Sequence, residues 1–389
     1  MSQAVVDTTR VSGLFGRRAG ALVERMVEDA EIAVGRDLIV HDSRMWADWA
    51  ARGMLGIGES YMRGDWDAPH VDVVMARLAA LPSARKRALF RSASNSVLLA
   101  ANAALNPQRR SRELQIAVAH YDLGNDFFES WLDANMQYSC ARWKGAADLD
   151  AAQVAKLRAI GEKLQLEPGM RVLDLGCGWG GLGRFLIREF GVRVTGVNIS
   201  AAQTQYCRQE ARAQGMHAEF EVRQQSWRDV RGVWDRVVSV GMLEHVGPAN
   251  YADFFGCVHA CLAPTGVSLI QTIGSNKSQA ILNDRWITRY IFPNGTLPSI
   301  AQVAAAVELK LVIEDIENLG PDYDQTLMAW HANFQRAKPQ LQRSRVFERM
   351  WDFYLLYCAS GFRVRKTQLW QFALSKGRST RYERYPARL

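Results

Sequence analysis

The run Val172-Leu173-Asp174-Leu175-Gly176-Cys177-Gly178-Trp179-Gly180-Gly181 carries the first structural decision in the chain. Its apolar residues up to Leu175 read as a buried strand. The glycines that follow let the backbone turn sharply and let a ligand approach closely. Residues 182–190 then read as a helix. A strand, a glycine-rich turn with an acid beside it, and a helix together open an α/β fold whose ligand lies on the turn. No Walker lysine follows the glycines, which argues against a nucleoside triphosphate.

Outward from that turn the alternation continues. Strands read at 171–175, 192–197, 218–222, 236–240, 267–272, 311–319 and 367–374. A helix over 151–166 places Val154, Leu157, Ile160 and Leu164 on one face. This α/β order predicts a mostly parallel seven-stranded sheet covered on both faces. Towards the N-terminus the pattern changes near Asn106-Pro107. Before it lies a helix-rich segment, with apolar spacing in Ala21-Leu22-Val23, Met26-Val27 and Ala30, and no catalytic constellation. At 389 residues the chain is long for one domain. We read two, 1–110 and 111–389.

Composition narrows the class. Six cysteines (Cys140, Cys177, Cys207, Cys257, Cys261 and Cys358) form no CxxC pair and no zinc spacing, so no metal is expected and a reduced, cytoplasmic setting is. No signal peptide and no run of about 18 apolar residues is visible. A net charge of +8 favours an anionic partner. Between Pro82 and Val118 the charged residues are Arg85, Lys86, Arg87, Arg91, Arg109, Arg110 and Arg112 against Glu113 alone, around an apolar stretch. That suits an interfacial helix on anionic lipid, and equally a core helix with solvated ends. Basic patches interleaved with aromatics are absent here, so nucleic acid is not expected.

The D-x-G-x-G-x-G pattern at 174–180 resembles the signature of class I S-adenosylmethionine-dependent methyltransferases, a Rossmann-like fold. The resemblance implies that Asp174, Gly176 and Gly178 back the methionine portion of that cofactor. The second strand ends Val197-Asn198-Ile199-Ser200, where an acid usually holds the ribose. Neutral Asn198 can still donate and accept hydrogen bonds, and Gln203 is a second ribose candidate. Trp227 is a candidate to stack on adenine, and as readily a packing residue.

Several phrases point to one family: His120-Tyr121-Asp122-Leu123-Gly124-Asn125-Asp126-Phe127-Phe128, Tyr138-Ser139-Cys140-Ala141-Arg142-Trp143, Gly241-Met242-Leu243-Glu244-His245-Val246-Gly247, Tyr290-Ile291-Phe292-Pro293-Asn294-Gly295, Thr326-Leu327-Met328-Ala329-Trp330 and Gln368-Leu369-Trp370-Gln371. Together they resemble cyclopropane-fatty-acyl-phospholipid synthases over residues 110 to 389. Tyr61-Met62-Arg63-Gly64-Asp65-Trp66 resembles the extra N-terminal domain of the members that act on bacterial phospholipids, for lipid binding or self-association.

The resemblance implies transfer of the S-adenosylmethionine methyl to a cis double bond in a phospholipid acyl chain, with bound bicarbonate taking the proton as the ring closes. An alkene is a poor nucleophile, so such a site must be dry and must press the reactants together. Aromatic faces can stabilise the positive charge that develops. By the same resemblance, the backbone at Cys140 helps hold the anion, with Tyr138 and Ser139 on the cofactor side. Glu244 accepts the bicarbonate O–H, Tyr323 donates a phenolic hydrogen bond, and Cys358 lies near the pocket without being a nucleophile.

One departure stands out. The family commonly has His-Thr-Ile-Gly where this chain has Gln271-Thr272-Ile273-Gly274. Glutamine donates and accepts hydrogen bonds but cannot become cationic. Either Gln271 keeps the hydrogen bond and the ring forms, or the cation is quenched otherwise and the product is a methyl-branched or methylene lipid. A related small-molecule N-methyltransferase and a lipid-binding protein without catalysis are the remaining readings. The expected setting is the inner face of the membrane, as a peripheral homodimer.

Overall fold

The computed structural model describes residues 14–82, 123–278, 284–377 and 382–383. The basic stretch from Arg85 to Arg112, the boundary near residue 110, and His120 to Asp122 lie outside the described residues.

The N-terminal segment is helical, as its spacing predicts: α1 (Leu14–Asp29), α2 (Arg44–Arg52), α3 (Met54–Arg63) and α4 (Val71–Ala80). A two-residue ladder pairs β1 (Ile39–Val40) with β2 (Trp66–Asp67). Helix α3 stops at Gly64, whose φ of +83° takes the left-handed turn that ends helices.

After α5 (Asn125–Glu129) the α/β alternation begins. Asp148 caps α6 (Leu149–Lys163) by accepting from the Ala151 N–H at 2.9 Å, so the helix starts two residues before the sequence expectation. Then come β3 (Arg171–Leu175), α7 (Gly181–Phe190), β4 (Arg193–Asn198), α8 (Ala201–Ala213), β5 (Phe220–Gln224), β6 (Trp234–Val240), α9 (Leu243–Val246), α10 (Tyr251–Cys261) and β7 (Leu262–Ser275). The chain continues through α11 (Arg285–Tyr290), α12 (Ile300–Val307), β8 (Val312–Asn318), α13 (Gly320–Ala337), α14 (Arg345–Arg363) and β9 (Thr367–Ser375).

Seven strands form one sheet in the order β5-β4-β3-β6-β7-β9-β8. The first five are parallel; β9 is antiparallel to both neighbours and separates β7 from β8. The period-2 alternation of strands divides the core. Leu173, Leu175, Val237 and Ile270 pack under α10 and α12. Val172, Val194, Val238 and Leu269 face α6, α7 and α8 on the other side. Both faces are covered, as a parallel sheet requires.

A third cluster joins the N-terminal helices to the rest. Trp49, Trp66, Met62 and Val74 share one apolar core with Phe127, Trp131, Trp330, Trp351, Phe353 and Leu355. Helix α14 runs through its centre. Arg349, on α14, donates to the carbonyls of Tyr61 and Trp66, and its guanidinium lies 4.0 Å from the Tyr61 ring centroid. The Tyr61–Trp66 phrase thus docks the N-terminal helices onto α14.

Candidate active site

The glycine turn folds where its residues demand it. The N–H groups of Gly176 and Cys177 both donate to the Val197 carbonyl, at 2.9 and 3.1 Å, tying the turn to the end of β4. Gly178 has φ +54°, and a Cβ built there would meet no atom within 4 Å, so the position faces open space. At Gly181 the reason is close approach: a Cβ would lie 1.8 Å from the Asn135 carbonyl oxygen. The loop that carries Asn135 is itself held by Asp133, which accepts from the N–H groups of Asn135 and Gln137 at 2.9 and 2.8 Å.

A cavity of about 200 Å³ lies above this turn. Tyr138, Ser139, Asp174, Gly176, Gly178, Asn198, Gln203 and Trp227 all line it, so the structure brings together every residue that the sequence assigned to the cofactor. Asn198 is engaged in bracing: it donates to the Gly178 carbonyl at 3.0 Å and to Gln203 Oε1 at 2.9 Å, and accepts from the Ser200 N–H at 2.9 Å. With its oxygen taken up by Asn198, Gln203 has its NH₂ left for a ligand. Trp227 carries the Arg228 guanidinium 4.2 Å from its ring centroid and meets Phe254 edge-on.

Asp174 is buried, with Oδ2 unpartnered, and burial raises its carboxyl to about 7. Below the loop sits Lys156, fully buried on α6 and lowered by burial to about 8. It donates to Gln137 Oε1 at 2.5 Å and Ser139 Oγ at 3.1 Å, fixing the floor of the cavity. These features fit a cationic cofactor with a long polar tail. An unpartnered buried carboxyl, a free amide NH₂ and a bare glycine face each await a ligand group.

A second cavity, about 770 Å³, holds Glu244, Gln271, Tyr323 and Cys358. Glu244 comes from α9, Gln271 from β7, Tyr323 from the first turn of α13 and Cys358 from α14. Cys140 does not line it. Its thiol is buried and donates to the Ala141 carbonyl at 3.2 Å, just past Ser139, which does line it. Burial pushes the thiols of Cys140 and Cys358 up, so neither is a thiolate.

Glu244 Oε1 accepts from the Ile273 N–H, while Oε2 is buried without a partner. Desolvation raises its carboxyl to about 7, against the pull of that N–H. The Tyr323 phenol is pushed well up by burial and is therefore a neutral donor. Gln271 is 1% exposed, and its Oε1 accepts from Gln371 Nε2 at 2.8 Å.

Tyr138, Ser139, Gly241 and His245 line both cavities. Burial lowers His245 to about 4, and its Nδ1 has no partner, so a neutral imidazole stands at the junction. The Tyr138 and Tyr354 hydroxyls meet there at 2.7 Å. Among the described residues no group of three or more His, Cys, Asp or Glu is arranged to hold a metal.

A profile of the mycolic acid cyclopropane synthetase family matches residues 108–372. The chain belongs to that family. It is similar to a cyclopropane-fatty-acyl-phospholipid synthase of Escherichia coli (strain K12), 45% identical over 327 residues, which are 84% of each chain. The tuberculostearic acid methyltransferase UfaA1 of Mycobacterium tuberculosis (strain ATCC 25618 / H37Rv) is 32% identical over 95% of this chain and 92% of its own. Among solved structures, mycolic acid cyclopropane synthase CmaA1 complexed with SAH and CTAB is 33% identical. It superposes with a TM-score of 0.63 on 68% of this chain and 98% of its own. Family and fold make the chain an S-adenosylmethionine-dependent methyltransferase of the cyclopropane synthase kind.

Sequence reasoning passed over Lys156, Lys163, Gln137, His245 and Gln371. A signal existed for three of the polar residues on α6. Gln153, Lys156 and Lys163 recur at helical spacing beside the apolar stripe and are all buried. His245 and Gln371 stand in two of the family phrases quoted above, which was a signal, but their burial by distant segments is not written locally.

Proposed function

We propose that this enzyme transfers the methyl carbon of S-adenosylmethionine to a cis double bond of an unsaturated phospholipid acyl chain and closes a cyclopropane ring, with bicarbonate as the base. The observation that carries the reading is the meeting of the two cavities beside an unpartnered buried carboxyl, Glu244. The name and 45% identity of the Escherichia coli relative support it.

S-Adenosylmethionine, held over the glycine turn, supplies an electrophilic methyl group. Asp174 and Gln203 bind its polar ends, and Lys156 keeps Ser139 in place beneath it. The larger cavity is roomy, at about 770 Å³, and mostly apolar, which suits an acyl chain. At its exposed end Asn276, Lys277 and Lys366 offer polar and cationic groups to a phosphate. Aromatic rings of Tyr138, Phe292 and Tyr354 flank the junction, where positive charge on the lipid develops.

Glu244, Gln271 and Tyr323 hold the anion. The Glu244 carboxylate accepts its O–H, and a carboxyl raised to about 7 is matched to proton exchange near neutral pH. Tyr323 and Gln271 donate to its oxygens. Basic residues from Arg85 to Arg112 draw the enzyme to anionic lipid at the inner membrane face. Among the described residues no helix is long and apolar enough to cross a membrane. Mass spectrometry of lipids from cells with and without the protein tests the reading. A net gain of CH₂ without a double bond supports the ring.

The second reading is a methyl-branched or methylene product. It is favoured by Gln271 in place of the usual histidine and by the likeness to the tuberculostearic acid methyltransferase. A net gain of CH₂ with a retained double bond decides for the methylene form, in which the cation loses a proton without closing the ring. Two hydrogens more than the ring decide for the methyl branch, which needs hydride from a separate nicotinamide-class reductant.

A further inference from the structure

Gln271, Gln371 and Glu317 stand opposite one another across three adjacent strands, β7, β9 and β8. Lys163, at the end of α6, lies on this row. Its ammonium donates to Glu317 and, at 2.6 Å, to Gln371 Oε1. Gln371 Nε2 donates in turn to Gln271 Oε1 at 2.8 Å. Behind Glu317, Arg142 Nη1 donates to both carboxylate oxygens at 2.9 Å. Lys163, Gln371 and Gln271 are each at most 2% exposed.

An amide chain of this kind has two polarities, and the lysine selects one. An ammonium has three donors and no acceptor. Gln371 must therefore turn its carbonyl to Lys163 and its NH₂ to β7. Gln271 must then turn its carbonyl to Gln371. Its own NH₂, which makes no hydrogen bond among the described residues, is left to the cavity that Glu244 and Tyr323 share. Reversing Gln271 would set NH₂ against NH₂ in a buried place. Glu317 favours the lysine's charged form, against burial and the repulsion of Arg142, and Arg142 in turn fixes the Glu317 carboxylate in position.

We propose that Lys163 and Gln371 are positioning residues that lock the Gln271 amide with its NH₂ directed into the cavity, making this point a fixed donor for an oxyanion. The proposal rests on the bicarbonate reading above and explains how a neutral glutamine serves where a histidine is usual. A side chain that donates on the cavity side is enough, provided something behind it fixes the direction.

The test is steady-state kinetics in decarbonated buffer with graded bicarbonate, on vesicles of unsaturated phosphatidylglycerol and phosphatidylethanolamine, with cofactor affinity measured by calorimetry. Gln371→Glu keeps an acceptor for Lys163 but has no N–H for Gln271, whose amide then reverses and turns its carbonyl to the cavity. The expected result is a rise of about tenfold or more in the bicarbonate KM, with kcat at saturating bicarbonate and cofactor affinity within about threefold. Gln371→Met frees the amide without reversing it and should raise KM less. In a Gln271→Leu background, Gln371→Glu should change KM no further, because its effect passes through Gln271. An unchanged KM in both single variants, or an equal rise in the Gln271→Leu background, overturns the positioning role. Should Gln371→Glu fail to fold, Gln371→Met carries the decision alone. Wild-type activity that ignores bicarbonate overturns the anion reading itself, which is a separate outcome.

Discussion

At the scale of single residues, the cofactor cavity depends on a glycine that faces empty space. Gly178→Ala places a methyl group in that space at φ +54°. The left-handed backbone costs about 1 kcal/mol for alanine, and the methyl group occupies ligand volume. Calorimetry should show S-adenosylmethionine affinity falling by about tenfold or more while circular dichroism is unchanged. Glu244→Gln separates catalysis from stability. Its turnover should fall by about 100-fold, with cofactor affinity nearly intact. In the folded protein burial lifts the Glu244 carboxyl from 4.5 to about 7, so ionisation opposes folding. That penalty is absent below pH 4.5, grows as pH rises, and levels off above about 7 at roughly 3 kcal/mol. Glutamine escapes it. Thermal melts of the ligand-free proteins should show Glu244→Gln more stable than wild type at pH 8, with the gap closing towards pH 5. Asp174 titrates in the same window but is common to both proteins. Much of this residue level was legible, because the turn and the Glu-His-Val-Gly phrase are local patterns. The protonation of Glu244 was not, since its raised carboxyl comes from burial by segments far along the chain.

At the scale of elements, all seven strands were legible from apolar runs and turns, and the ends of the two helices bounded from sequence differ by no more than three residues. The order of the last three strands was not. That β9 inserts antiparallel between β7 and β8 is a matter of tertiary pairing, and periodicity within a strand carries no partner. Helix α14 is the element on which most depends, and Arg349 is its anchor to the N-terminal helices. Besides the two carbonyls, it pairs with Asp67 at 2.7 Å. Arg349→Ala leaves those groups unsatisfied and removes the contact over Tyr61. Urea unfolding should report a loss of about 2–3 kcal/mol, with cofactor affinity unchanged because neither Arg349 nor its partners Tyr61, Trp66 and Asp67 line the cofactor cavity.

At the scale of the whole molecule, the sequence suggested two units, and the described residues share one apolar core between the N-terminal helices and the helices over the larger cavity. Met54 and residues Ala79 to Pro82 line that cavity. The N-terminal helices therefore help wall the larger cavity, the one proposed above for the acyl chain. If Arg85, Lys86, Arg87 and Arg91 attract anionic lipid, sedimentation with phosphatidylglycerol vesicles should fall steeply as salt rises, because surface charge is screened over about 8 Å at physiological ionic strength. Replacing all four with glutamine should weaken binding by about 1 kcal/mol per residue near the surface. Binding indifferent to both salt and replacement would remove the electrostatic account.

Among the described residues, Tyr138, Ser139, Gly241 and His245 are those the two cavities share. On the reading proposed above, cofactor and acyl chain would occupy separate spaces that share only this seam, so each would exchange without displacing the other. Such an enzyme would work along a membrane the way a plane works along a board, and one landing on a vesicle would convert many lipids before the protein lifts off.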